Sequence, residues 1–123
     1  MSPRPMKSRL AQRLQVSLKV FSKIDKDTGQ RFGLKAGDRF EASAEDISIL
    51  GIGASTKYFF PKGLSMQLEI SGEPLGLKGP IKVKGEIRHC EYVKPHQYRC
   101  GIKFIDISEE HKNAIKQYIS SKA

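Results

Sequence analysis

Arg9 and Arg13, in Arg9-Leu10-Ala11-Gln12-Arg13, place two planar guanidinium forks four residues apart near the start of the chain. Such forks grip phosphate oxygens, pair with the acceptor edge of guanine, or stack on a base plane. Much later, Asp46-Ile47-Ser48-Ile49-Leu50-Gly51 offers what arginine lacks. A carboxylate accepts from guanine N–H donors, a hydroxyl donates or accepts, and a glycine lets backbone approach a ring closely. A cation-rich segment facing an acceptor-rich turn suits a guanine nucleotide, although neither half says so alone. The bland alternatives are a solvated basic arm and a plain Asx-type turn whose side chains bond their own backbone. Turn and site are compatible, because a carboxylate already fixed by turn geometry loses less freedom when a ligand arrives. Asp46→Ala and Ser48→Ala are therefore expected to weaken a ligand with little loss of fold, and Gly51→Val to damage both.

Other candidates carry less. Arg88 and Lys103 are secondary cationic positions. His89, His96 and His111 fall on a strand, a turn and a helix start without metal-ligand spacing, so no metal site is expected. Tyr58, Phe59 and Phe60 have the type to stack a base, but consecutive aromatics in a strand are more often core. Catalysis finds no support: there is no Gly-x-Ser-x-Gly elbow, no P-loop and no His-Glu-x-x-His. A binding protein is expected, not an enzyme, with no cofactor beyond its ligand.

These residues need a scaffold, and composition limits it. The 123 residues, 38% of them apolar, can bury one ordinary core, so a single domain is expected over 9–123. Residues 1–8, with two prolines and two basic residues, read as a flexible basic arm. No apolar run is long enough to cross a bilayer and the N-terminus lacks a signal-peptide stretch, so a cytoplasmic location is expected. Twenty-two Lys and Arg against thirteen Asp and Glu give a net charge of +9, which attracts nucleic acid, anionic membrane or a phosphate-rich small ligand without choosing among them. Cys90 and Cys100 flank a hairpin. Simple alternation sets their side chains on opposite faces unless a bulge intervenes, which favours two free thiols over a disulfide.

Short alternating segments fill most of the chain: Gln15 to Ile24, Phe40 to Ile47, Ile52 to Phe60, Leu64 to Ile70, Ile81 to Ile87 and Tyr98 to Ile105. Turn chemistry separates them at Lys26-Asp27-Thr28-Gly29, Lys35-Ala36-Gly37-Asp38, Pro61-Lys62-Gly63, the Ser71–Pro80 loop and Val93–Gln97. This is the pattern of a mainly β protein, a small antiparallel barrel or sandwich. One helix follows, over about 108–121, capped by Asp106 or Ser108 and carrying Glu109 and Glu110 in its first turn. Its Ala114, Ile115, Tyr118 and Ile119 share one face, suited to covering an open barrel end.

Arg-x-x-x-Arg followed by Asp-x-Ser-x-x-Gly resembles the signature of PilZ domains, bacterial receptors for cyclic di-GMP. Phe60-Pro61-Lys62-Gly63-Leu64 is similar to that family's turn into an alternating strand. Lys84-Gly85-Glu86-Ile87 and Cys100-Gly101-Ile102-Lys103-Phe104 are similar to its closing strands. The likeness spans roughly residues 9 to 120. It implies a split-barrel type of β-barrel with a C-terminal helix, and a cyclic di-GMP site formed by Arg9, Arg13, Asp46, Ser48 and Gly51. Ser8, just before the first arginine, lies where the family sets whether one ligand molecule or a stacked pair is held. The implied function is a non-enzymatic receptor whose N-terminal arm orders over the barrel and signals to an unidentified effector protein in motility, pilus, biofilm or a related pathway. The alternatives are a small basic β-barrel that binds RNA or single-stranded DNA, and a ligand-free adaptor in pilus or flagellar machinery.

Overall fold

The computed structural model describes residues 13–24 and 39–122. The expected arm (1–8), Ser8 and Arg9, and the turns expected at 26–29 and 35–38 lie outside these residues. Six strands follow the alternating segments: β1 (Leu14–Ile24), β2 (Arg39–Ile47), β3 (Gly51–Thr56), β4 (Ser65–Ile70), β5 (Ile81–Lys94) and β6 (Gln97–Asp106). They close into a barrel in the order β1-β2-β3-β6-β5-β4, every neighbour antiparallel. Closure leaves no free sheet edge along the paired segments and lets one face of each strand be dry. Val20, Ile47, Ile52, Leu68, Ile81, Ile87 and Ile102, drawn from all six strands, fill that interior. Each large apolar side chain so buried contributes about 1.5–3 kcal/mol.

Two segments differ from the expectation. β3 stops at Thr56 and does not run on to Phe60. The Thr56 hydroxyl donates to the Tyr58 carbonyl at 2.7 Å and accepts from the Tyr58 N–H at 3.0 Å, which turns the chain. Phe60 then enters the core against Phe40, ring centroids 5.1 Å apart. The hairpin turn expected at Val93–Gln97 is shorter, because β5 continues through His89 and Cys90 to Lys94 and β6 begins at Gln97. Among the described residues β4 pairs β5 only as far as Glu86, and from His89 onward the ladder partner of β5 is β6.

Ladder irregularities between Ile87 and His89 and between Tyr92 and Lys94 also settle the cysteines. They are direct cross-strand partners on one face, not on opposite faces, because the shift between Tyr92 and Lys94, on the hairpin stretch that joins them, changes the alternation by one. Both are free thiols.

The helix α1 (Glu109–Lys122) starts where the Ser108 hydroxyl accepts the His111 N–H at 3.2 Å. Ile115 and Ile119 are buried in the same cluster as the barrel residues, so this face closes over the core as its periodicity implied. No helix among the described residues is long and apolar enough to cross a membrane.

Candidate functional site

Simple alternation along β2 puts Asp46 on the same inward face as Ala42 and Ala44. A register shift between Ala44 and Asp46 prevents this. Ala44 and Ile47 are both fully buried, and the two residues between them, Glu45 and Asp46, turn outward together. A bulge here does what bulges commonly do beside functional sites: it re-aims a side chain.

Asp46 is then held from three directions. Its Oδ1 accepts the Gly53 N–H at 3.1 Å and pairs with Arg13 Nη1. Its Oδ2 accepts from Arg99 Nη2 at 3.0 Å, and the other Arg99 nitrogen donates to Glu45 Oε1 at 2.6 Å. The structure thus brings together Arg13 and Asp46, two residues singled out in the sequence, across 33 positions of chain. The Asp46 side chain is 16% exposed and the two guanidiniums about half exposed, so the pairs add little stability and mainly fix orientation. Two cations and two carboxylates balance here, so a phosphate that replaced one carboxylate would meet a prepared guanidinium fork.

Ser48 and Gly51 shape the turn beneath. Ser48 is fully buried; its Oγ accepts the Leu50 N–H at 3.0 Å, and its own N–H reaches the Gly51 carbonyl at 2.9 Å. The expectation that Ser48→Ala spares the fold is therefore revised. Alanine leaves the Leu50 N–H without its acceptor, and the unfolding free energy should fall by about 1–3 kcal/mol in chemical denaturation. Gly51 is required by proximity: a Cβ there would stand 2.1 Å from the Ile102 carbonyl oxygen.

Beside Asp46 the barrel wall is flat. Cross-strand pairing sets Asp46, Gly53, Gly101 and His89 in one row, and Ser43, Ser55, Arg99 and Glu91 in the next. A Cβ on Gly53 would press on the Asp46 carboxylate at 2.5 Å, and one on Gly101 would strike the His89 ring at 2.3 Å. The two glycines form a floor between a carboxylate and an imidazole. An open groove of about 650 Å³ adjoins it, sharing Ser43 and Ser55 and lined further by Lys57, Lys94 and His96. Lys103 pairs in register with Gly51, close to the turn, whereas Arg88 is engaged by Glu86 at 3.0 Å.

Arg99, Glu45 and Gly53 escaped the sequence reading. Arg99 alternates with Cys100 and Ile102, so its outward face was legible but its partners were not. Gly53 inside a strand was the better signal, because a glycine there often marks a close approach.

Residues 7–121 match the PilZ domain family. The chain belongs to this family. At the sequence level the PilZ domain is similar to an "Uncharacterized protein" of Aquifex aeolicus (strain VF5), 37% identical over 79 residues, 60% of this chain and 34% of that one. Among solved structures it is similar to the Bacillus subtilis inhibitor of motility MotI/DgrA, at TM-score 0.72 and 18% identity over 99% of this chain and 56% of the other. It is also similar to MrkH of K. pneumonia in a c-di-GMP complex (TM-score 0.64, 13% identity, 91% and 51% covered) and to the PilZ domain with c-di-GMP of YcgR from Escherichia coli (0.61, 14%, 90% and 88%). The chain thus spans about a third of the Aquifex protein and about half of MotI/DgrA and MrkH. At these identities the solved structures establish the shared fold.

Proposed function

We propose that this PilZ domain is a non-enzymatic receptor for cyclic di-GMP, held between the N-terminal arginines and the β2–β3 turn. The observation that carries the reading is the meeting of Arg13 with Asp46 at the bulge of β2. Arg9 and Arg13 take phosphate or guanine acceptor edges, Asp46 takes guanine N–H donors, and Ser48 and Gly51 set the turn that aims it. Arg99 is a third guanidinium within reach. Two of the similar structures, MrkH and the PilZ domain of YcgR, are with c-di-GMP, which supports this ligand over others. Ligand contacts made from both sides would order the segment around Arg9 on the barrel, because a ligand shifts a conformational equilibrium only by its differential affinity for the two states. The new surface is then read by an effector protein, in motility, pilus or biofilm control.

Glu45 competes with phosphate for Arg99 in this scheme. Glu45→Gln should therefore tighten cyclic di-GMP binding by about two- to fivefold, the worth of an exposed pair. Calorimetry at fixed ionic strength checks it, and weaker binding would remove Arg99 from the ligand's contacts.

Single-stranded nucleic acid is the competing ligand. Phe59, Tyr98 and Tyr92 do form an outlying ring series, with centroids 5.9 Å apart at each step. Their planes stand at 66° and 71°, edge against face, which engages the rings with one another and presents no common stacking platform. The deciding experiment titrates the wild type and Arg13→Ala with cyclic di-GMP and with a polypyrimidine DNA strand, at two salt concentrations. Saturable cyclic di-GMP binding that weakens about tenfold or more in the variant supports the receptor. Steeply salt-dependent DNA binding without cyclic di-GMP binding overturns it.

A further inference from the structure

We infer that Cys90 and Cys100 are a reversible dithiol site that closes to an intramolecular disulfide when a low-molecular-weight disulfide such as oxidised glutathione reacts with the folded barrel. The inference stands apart from the ligand reading. It rests on placement: the two residues are direct partners in the β5–β6 ladder, and their sulfurs are 2.9 Å apart. Directly opposed residues of an antiparallel pair have Cα atoms about 4.5–5.5 Å apart, inside the window that a disulfide requires. Bond formation therefore needs about 1 Å of further approach between the sulfurs and no rearrangement of strands. The irregularity between Tyr92 and Lys94, on the hairpin stretch that joins the two cysteines, sets this opposition.

The surroundings assign different roles to the two thiols. Cys90 is half-buried, and two donors converge on its sulfur: the Cys100 thiol and the Phe60 N–H at 3.4 Å. Cys100 is fully buried, and desolvation, followed by the neighbouring Cys90, pushes its pKa far above the ordinary thiol range. Cys90 is thus the sulfur that meets the oxidant and Cys100 the one that resolves. The Cys90 thiolate attacks one sulfur of oxidised glutathione, breaks its S–S bond and expels one glutathione thiolate. The Cys100 sulfur, surrendering its proton to the departing thiolate, then attacks Cys90 Sγ and releases the second glutathione. The protein loses two protons and two electrons, and oxidised glutathione gains them as two glutathione thiols. On the outer face the same stretch carries Arg99 and Gly101 beside Cys100, and His89 beside Cys90, so the bond lies directly behind the wall of the candidate site.

The test uses the native full chain, incubated with oxidised glutathione, quenched in acid, alkylated and weighed intact. The expected product has lost two hydrogens, takes no alkyl group at Cys90 or Cys100, and returns to two alkylatable thiols in dithiothreitol. Cys100→Ser should instead accumulate one glutathionyl group on Cys90, and Cys90→Ser should stay unmodified. Retention of both thiols in the wild type would overturn the inference, as would stable glutathionyl adducts on it, a disulfide-linked dimer, or closure seen only in urea. None of these readouts involves cyclic di-GMP, so failure here and failure of the receptor reading are separable.

Discussion

Asp46→Ala should lower the affinity for cyclic di-GMP at least about thirtyfold, while moving the thermal midpoint by no more than about 5 °C. The loss has two sources. A guanine N–H loses a charged acceptor, a contact worth about 1.5–3 kcal/mol. Arg13 also loses the carboxylate that holds its fork in position, so the ligand must order it, whereas Arg99 keeps its bond to Glu45. The fold loses less, because the paired guanidiniums are half exposed and the remaining cost is one acceptor for the Gly53 N–H. Asp46→Asn separates the two sources, since its amide oxygen still accepts from Gly53 while the charge is gone. Its affinity should fall between those of the wild type and the alanine variant. Calorimetry with a parallel melting curve checks both, and an Asp46→Ala affinity within threefold of wild type would exclude Asp46 from the ligand's contacts.

Gly51→Val should cost about 3 kcal/mol or more of folding stability, lowering the midpoint by about 10 °C. The cause is steric. Any Cβ at this position falls 2.1 Å from the Ile102 carbonyl oxygen, so β3 and β6 must part where their ladder begins. Backbone cannot rotate aside as a long side chain can, and the separation would also disturb the Phe104 N–H bond to the Leu50 carbonyl, now 2.8 Å. Binding should fail along with the fold in this variant. Gly53→Ala offers the contrast: its added methyl meets the Asp46 side chain, not backbone, so ligand affinity should fall further than stability. Denaturant unfolding and titration of both variants distinguish a scaffold glycine from a site glycine. Wild-type stability in Gly51→Val would contradict the close approach.

Much of this architecture was legible because alternation and turn residues are local signals. The apolar positions of β4 and the first half of β5 fell on the buried face as their period required, and the helix began at the Ser108 cap. The two errors of extent, at Thr56 and in the Val93–Gln97 turn, arose where one hydroxyl turned the chain and where the two hairpin strands stayed paired as far as Lys94 and Gln97. At the candidate site, spacing singled out Arg13 and Asp46, which the structure brings together, and Ser48 and Gly51 in the turn beside them, but the burial of Ser48 is not written in a turn motif. Arg99 stayed hidden for a different reason. Its partnership with Asp46 spans 53 residues and depends on an extra residue in β2, a long-range consequence of register that no local pattern encodes.

Hydrogen exchange with and without saturating cyclic di-GMP tests most directly whether the arginine segment and the acidic turn close on one ligand. Exchange should slow in residues 9–14 and, in the same titration, in residues 46–53, with both effects lost in Asp46→Ala. Protection confined to one of the two segments, or absent from both at saturation, would contradict a shared site.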